Sequence, residues 1–145
     1  MAVTANQQIK MRGATKRRKV PVAASTILYE GTMCFEDAGG DFAGAVVENG
    51  SFGGIVVDQV DNSAGADAAK KAEVWVDGEF LLTLNTTSAA AADIGKAVYA
   101  SDNYTITETA TDLVPVGIIT EVVSTTQVWV AIAGLGERDT GPLVT

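Results

Sequence analysis

Histidine is absent from this sequence. With it go the commonest general base, the usual zinc ligand and every Ser-His or Cys-His nucleophile arrangement. A single cysteine, Cys34, excludes an intramolecular disulfide, so nothing points to an oxidising compartment. It lies in an apolar Met33-Cys34-Phe35 run, the setting of a small buried hydrophobe rather than a reactive thiol. No run approaches the roughly eighteen apolar residues of a membrane span. The polar, basic start lacks the apolar stretch of a secretory signal, so a soluble protein without a membrane partner is expected.

The Gly-rich loops lack the Lys-Ser/Thr pair of a phosphate cradle. The acidic groupings, Glu36, Asp37 and Asp41, or Asp58, Asp61 and Asn62, do not follow calcium-loop spacing. Paired carboxylates suit glycoside hydrolysis, but both tryptophans sit inside strand-like runs and read as core rather than as a sugar platform. The expectation is therefore no enzyme, no cofactor and no bound metal.

Acidic residues are also missing from one whole segment. Six of the ten Lys and Arg residues, Lys10, Arg12, Lys16, Arg17, Arg18 and Lys19, precede Val20, and the first carboxylate is Glu30. The first twenty residues thus carry +6, and with −8 overall the remainder carries −14. A basic arm on an acidic body suggests an anionic partner for the arm. Residues 1–19 hold only Val3, Ile9, Met11 and a few alanines as apolar groups, too little to offset ordering entropy by burial. Such a segment is expected to be mobile alone and to order on a partner. Three roles fit it: a solvated tail, docking on a protein surface, or nucleic-acid binding by phosphate neutralisation. It has no aromatic residue on which to stack bases.

What the chain does contain is β-type sequence. Residues 95–133 hold three short runs, Ala97-Val98-Tyr99-Ala100, Val114-Pro115-Val116-Gly117-Ile118-Ile119 and Val128-Trp129-Val130-Ala131-Ile132, separated by Thr, Asp, Asn and Ser clusters. In the last run Val128, Val130 and Ile132 share one face, and Trp129, Ala131 and Ala133 the other. Upstream, the body begins at Val20-Pro21, with Pro21 marking an edge or first-strand position. Further candidate strands are residues 26–29, 32–35 and 55–57. The Glu36 to Gly44 stretch and the Asn49-Gly50 pair read as turns, and residues 61–71 as a polar surface loop with at most a helical turn.

Residues 73–84, EVWVDGEFLLTL, give the sharpest local signal. Asp77-Gly78 between apolar runs predicts a type I′ hairpin with Trp75 opposite Phe80, or else one bent strand with a bulge at Gly78. Thr87 or Ser88 then caps one or two helical turns that end at Gly95. No segment has the length or period of a core helix. The fold class expected is all-β: a compact β-barrel or β-sandwich body, residues 20–133, with an extended basic arm, residues 1–19, a C-terminal extension, residues 134–145, and at most one short helix.

The order of these pieces resembles the cement, or decoration, proteins of tailed-phage capsids. A glycine precedes an aromatic-containing strand at Gly78-Glu79-Phe80, and another precedes a valine-tyrosine strand between Gly95 and Tyr99. A valine-glycine step, Val116-Gly117-Ile118, comes before a last V-x-V strand, Val128-Trp129-Val130. The resemblance covers residues 20–133; the arm, the tail and an insertion at 61–71 lie outside the shared pattern. It implies a virion structural protein on the capsid exterior, a homotrimer that binds the major capsid protein, bridges neighbouring subunits and stabilises the shell. Under that reading Lys10, Arg12 and Lys16, Arg17, Arg18 and Lys19 dock on carboxylate-rich shell surface, Arg by bidentate pairs, and no nucleic acid is expected as partner. The rivals are a nucleic-acid-binding module using the same arm, and a carbohydrate-binding or adhesive head-fibre module using Tyr99, Tyr104 or Trp129.

Overall fold

The computed structural model describes residues 2–48, 50–85, 88–109 and 114–135. The N-terminal part supplies eight strands: β1 (Met11–Arg12), β2 (Arg17–Pro21), β3 (Thr26–Leu28), β4 (Met33–Glu36), β5 (Phe42–Ala43), β6 (Phe52–Val56), β7 (Val60–Asn62) and β8 (Lys71–Trp75). Five more follow: β9 (Glu79–Leu84), β10 (Ala97–Ala100), β11 (Thr105–Thr107), β12 (Val114–Val122) and β13 (Gln127–Ile132). A single 3₁₀ turn, Ala91–Asp93, is the one helical element among the described residues.

The last five strands close into a barrel. Their order is β9-β11-β10-β12-β13, and β13 pairs back to β9 from Gln127↔Thr83 to Ala131↔Glu79. Only the β9–β11 pair is parallel. Alternation decides what fills the inside: Phe80, Leu82 and Leu84 from β9 meet Val128, Val130 and Ile132 from β13, all buried. Each such side chain contributes about 1.5–3 kcal/mol by leaving water. β12 departs from strict alternation, with Val114, Val116 and Ile119 buried but Ile118 49% exposed. Register shifts on both flanks of β12 account for this, because each bulge moves the inward face by one residue while bending the strand enough to close a small barrel.

The remaining sheet has the order β2-β8-β6-β4-β5 and packs on the barrel. One of its faces, with Met33, Phe35 and Ile55, joins the barrel core. The other, with Cys34, Val56 and Val74, forms a second core that includes Leu28 of the β3–β7 ribbon. Burial on both faces is why the central strands β4 and β6 read as unbroken apolar runs, whereas β8, KAEVW, alternates. Burial also pushes the Cys34 thiol up to about 12, which keeps it protonated and unreactive. Pro21 ends β2, an edge strand, where its missing N–H costs no ladder bond.

The all-β barrel and sheet match the fold class read from the sequence, and the short helix reduces to one 3₁₀ turn. The hairpin at Asp77-Gly78 does not form. β8 pairs with β2 and β6, β9 with β1, β11 and β13, so Trp75 lies across from Arg17 and Ile55, not Phe80. The Asp-Gly pair instead carries the chain from sheet to barrel. Gly78 has φ +92°, and a Cβ there would lie 2.5 Å from the Cα of Ala14, so the positive φ serves a crossing of two chain segments. The division at Val20 falls inside β2, because Arg17, Arg18 and Lys19 already pair with Trp75, Val74 and Glu73. Asn49, Thr87 and residues 136–145, on which a turn, a cap and most of the C-terminal extension were expected, lie outside the described residues.

The 3₁₀ turn is held by one carboxylate. Asp93, 8% exposed, accepts the Ala90 N–H at 2.8 Å and takes Lys96 Nζ at 2.8 Å. Lys96 and then the Ala90 N–H hold its pKa below the usual range, while burial and the Asp93 charge hold Glu108 above it. The two act in opposite directions. Asp93 adds stability above the ordinary aspartate pKa of about 3.9, lost as pH falls through its lower folded value. Glu108 adds stability when protonated, lost as pH rises through its raised value. In urea titrations the lead of wild type over Asp93→Asn should therefore shrink as pH drops from 6 toward 2, and Glu108→Gln should gain on wild type as pH rises. A pH-independent gap in either series would contradict this assignment.

Candidate interaction surface

The six N-terminal cations lie along the body. Val3 is clasped by Asn103, whose Oδ1 accepts its N–H and whose Nδ2 donates to its carbonyl, both at 2.9 Å. Gln7 N–H donates to Glu30 O at 2.8 Å, and Leu81 N–H to Lys10 O at 3.0 Å, which seats β1 on β9. Between β1 and β2 the chain is pinned by Asp77, which accepts from the N–H groups of Thr15 and Lys16 and the Thr15 hydroxyl at 2.7–2.9 Å. Burial alone would raise that carboxyl, but these donors outweigh it and hold it below the usual range. Backbone pairing thus supplies to residues 7–19 the partners that their few apolar side chains do not.

Each tryptophan carries an arginine. The Arg12 guanidinium lies 4.0 Å from the Trp129 ring centroid and bridges Glu79 at 3.0 Å and Glu121 at 2.9 Å. Hydrogen bonds to Glu121 and then Glu79 raise its pKa, and Glu79 is held low by the Thr120 hydroxyl and by Arg12. Arg17 lies 5.2 Å over the Trp75 ring and 3.8 Å from Glu73. Lys10 and Lys19 are exposed and make no ion pair among the described residues. The six cations are therefore unlike one another: two already serve as bridges within the body, and two, Lys10 just before β1 and Lys19 in β2, are exposed without an ion pair among the described residues.

The Arg12 cap bears on the sugar-platform alternative, since it occupies one face of Trp129, while Tyr99 and Tyr104 are both half-buried. Between residues 7–11 and the wall made by Ile55, Val56, Val57 and Trp75 lies an open cavity of about 520 Å³. Sequence reading missed it, because its two sides come from strands of different sheets. It also missed Asp77 and Asn103, which look like turn residues until their partners some sixty and one hundred residues away are known. Among the described residues no group of three or more Cys, Asp or Glu is arranged to hold a metal ion. Among the described residues no helix is long and apolar enough to cross a membrane. Comparison of the chain with protein-family models, with curated proteins and with solved structures finds no match.

Proposed function

We propose that this chain is a capsid decoration protein of a tailed phage, which binds the outside of the assembled head as a homotrimer, bridges neighbouring major capsid subunits and stabilises the shell without catalysing a reaction. One observation carries the reading. The stretches that resemble the cement proteins, Gly78-Glu79-Phe80, Gly95 to Tyr99, Val116-Gly117-Ile118 and Val128-Trp129-Val130, are not scattered in space. They lead into or form β9, β10, β12 and β13, four of the five staves of one closed barrel. A rigid body with exposed cations on its edge strands suits attachment to an acidic protein surface, where many copies raise the effective concentration.

Sedimentation with emptied, undecorated phage shells tests the reading. Co-pelleting that saturates at a fixed ratio to shell subunits is expected. A monomeric free protein that never co-pellets would overturn it. Within that assay Lys10→Gln with Lys19→Gln should weaken attachment roughly three- to tenfold and flatten its salt dependence. These two are chosen because Arg12 and Arg17 also hold the body together.

A further inference from the structure

We infer that the outward side of the β2–β8 ladder, with Lys19 and Lys71 at its centre, is the surface that seats on a carboxylate-rich patch of the shell subunit. This rests on the decoration reading above and names its point of contact.

Register builds the surface. Residues 17, 19 and 21 of β2 lie across from residues 75, 73 and 71 of β8, so Arg17, Lys19, Pro21, Lys71, Glu73 and Trp75 share one side of the ladder. Val20, Ala72 and Val74 take the other side, where burial in the second core holds the backbone in place. Lys71 comes from outside the basic N-terminal segment, and only the pairing of β8 with β2 brings it beside Lys19. The two lysines are diagonal neighbours, about 7–8 Å apart by sheet geometry.

Charge on this side does not cancel. Glu73 is the one carboxylate in the two strands, and Arg17 already lies 3.8 Å from it. Lys19 and Lys71 are exposed and make no ion pair among the described residues. Asp58 follows Val57, whose N–H donates to Glu73 O, and it pairs with neither lysine. Arg17 and Glu73 thus offset one another, and the two lysines are left as an excess held on a packed sheet.

Carboxylates suit this surface better than phosphates. Nucleic-acid binding draws its affinity from the number of phosphates neutralised, and an excess of two lysines supplies little of it. Trp75, the one aromatic ring on this side, lies 5.2 Å beneath the Arg17 guanidinium and offers no free face to a base. The chain beyond residue 20 carries −14, which repels a long polyanion and still permits short-range contact with a few carboxylates.

Carbodiimide coupling on undecorated shells tests the inference, because it joins a lysine amine only to a carboxylate within bonding reach. Peptide mapping should find Lys19 and Lys71 linked to Asp or Glu of the shell subunit. Lys19→Gln with Lys71→Gln should keep the wild-type thermal melt and yet lose roughly fivefold or more in shell affinity. Lys19→Arg with Lys71→Arg should retain it. Thr125→Glu with Gln127→Glu shifts the net charge equally, at exposed positions of the β12–β13 turn, and should bind like wild type. Wild-type binding with cross-links confined to other residues, or a glutamine pair no weaker than the glutamate pair, would overturn this surface alone. Failure of the wild type to bind would overturn the decoration reading and the surface with it. Single-stranded oligothymidylate bound by wild type and released by the glutamine pair would assign the surface to nucleic acid. A lower oligomeric mass of the free glutamine pair would assign it to a second copy of this chain, and either result would overturn the inference.

Discussion

Phe80→Ala should lower the unfolding free energy by about 3–5 kcal/mol, the range for truncating a fully buried aromatic. Phe80 is 0% exposed and sits where β9 meets β1 and β13, across from Met11 and Val130. Its neighbours are fixed in a closed ring of backbone pairs, so the walls cannot collapse on the void as an open sheet would. The loss should show as a drop in urea midpoint with little change in slope, and as a melting temperature lower by roughly 10 °C or more. Phe80→Leu, which restores part of the volume, should recover much of the difference. A loss below about 1 kcal/mol for the alanine variant would show that the barrel interior relaxes after all.

Gly54→Ala is expected to be comparably severe for a different reason. Gly54 has φ +145°, and a Cβ at that position would lie 2.3 Å from the carbonyl oxygen of Trp75. The atom it meets is main chain in the β6–β8 pair, where Ile55 stands across from Trp75, and it has no rotamer by which to withdraw. Relief requires parting the two strands, which costs on the order of 3 kcal/mol once backbone strain and lost pairing are combined. Denaturant titration of Gly54→Ala beside Gly95→Ala separates the causes. Gly95 also has a positive φ, +93°, but open space around it, so it reports the strain without the collision. Equal losses in the two variants would rule out the steric account.

Period-two patterns identified the strands because they reflect a local property, a face toward the core. Val128, Val130 and Ile132 could be assigned to one shared face before any partner was known, and that face is the buried one, while Trp129, read as core, lies half-buried on the other. The pattern says nothing about which strand lies alongside. At Asp77-Gly78 that gap misled, since the same residues that permit a hairpin permit a crossing, and the choice was made by Arg17, Ile55, Met11 and Val130, all distant in sequence. The N-terminal segment was judged by its side chains, which bury little. Its ordering comes from main-chain donors and acceptors and from the Asp77 carboxylate, and composition carries no trace of either. For the candidate site, the six cations were visible as charges. That Arg12 caps Trp129 and Arg17 caps Trp75, leaving Lys10 and Lys19 projecting, depends on packing alone.

The pairing of β13 with β9 makes the first stave of the barrel wait for the last. A ribosome that has delivered everything as far as β12 has produced a sheet with two unsatisfied margins and an apolar lining exposed to water. Only when Ile132 clears the exit tunnel can the seam close. Chains cut short before Gln127 should accumulate as insoluble material, and synthesis of the intact chain should reach its protease-resistant form in one late step instead of by gradual gains along the way.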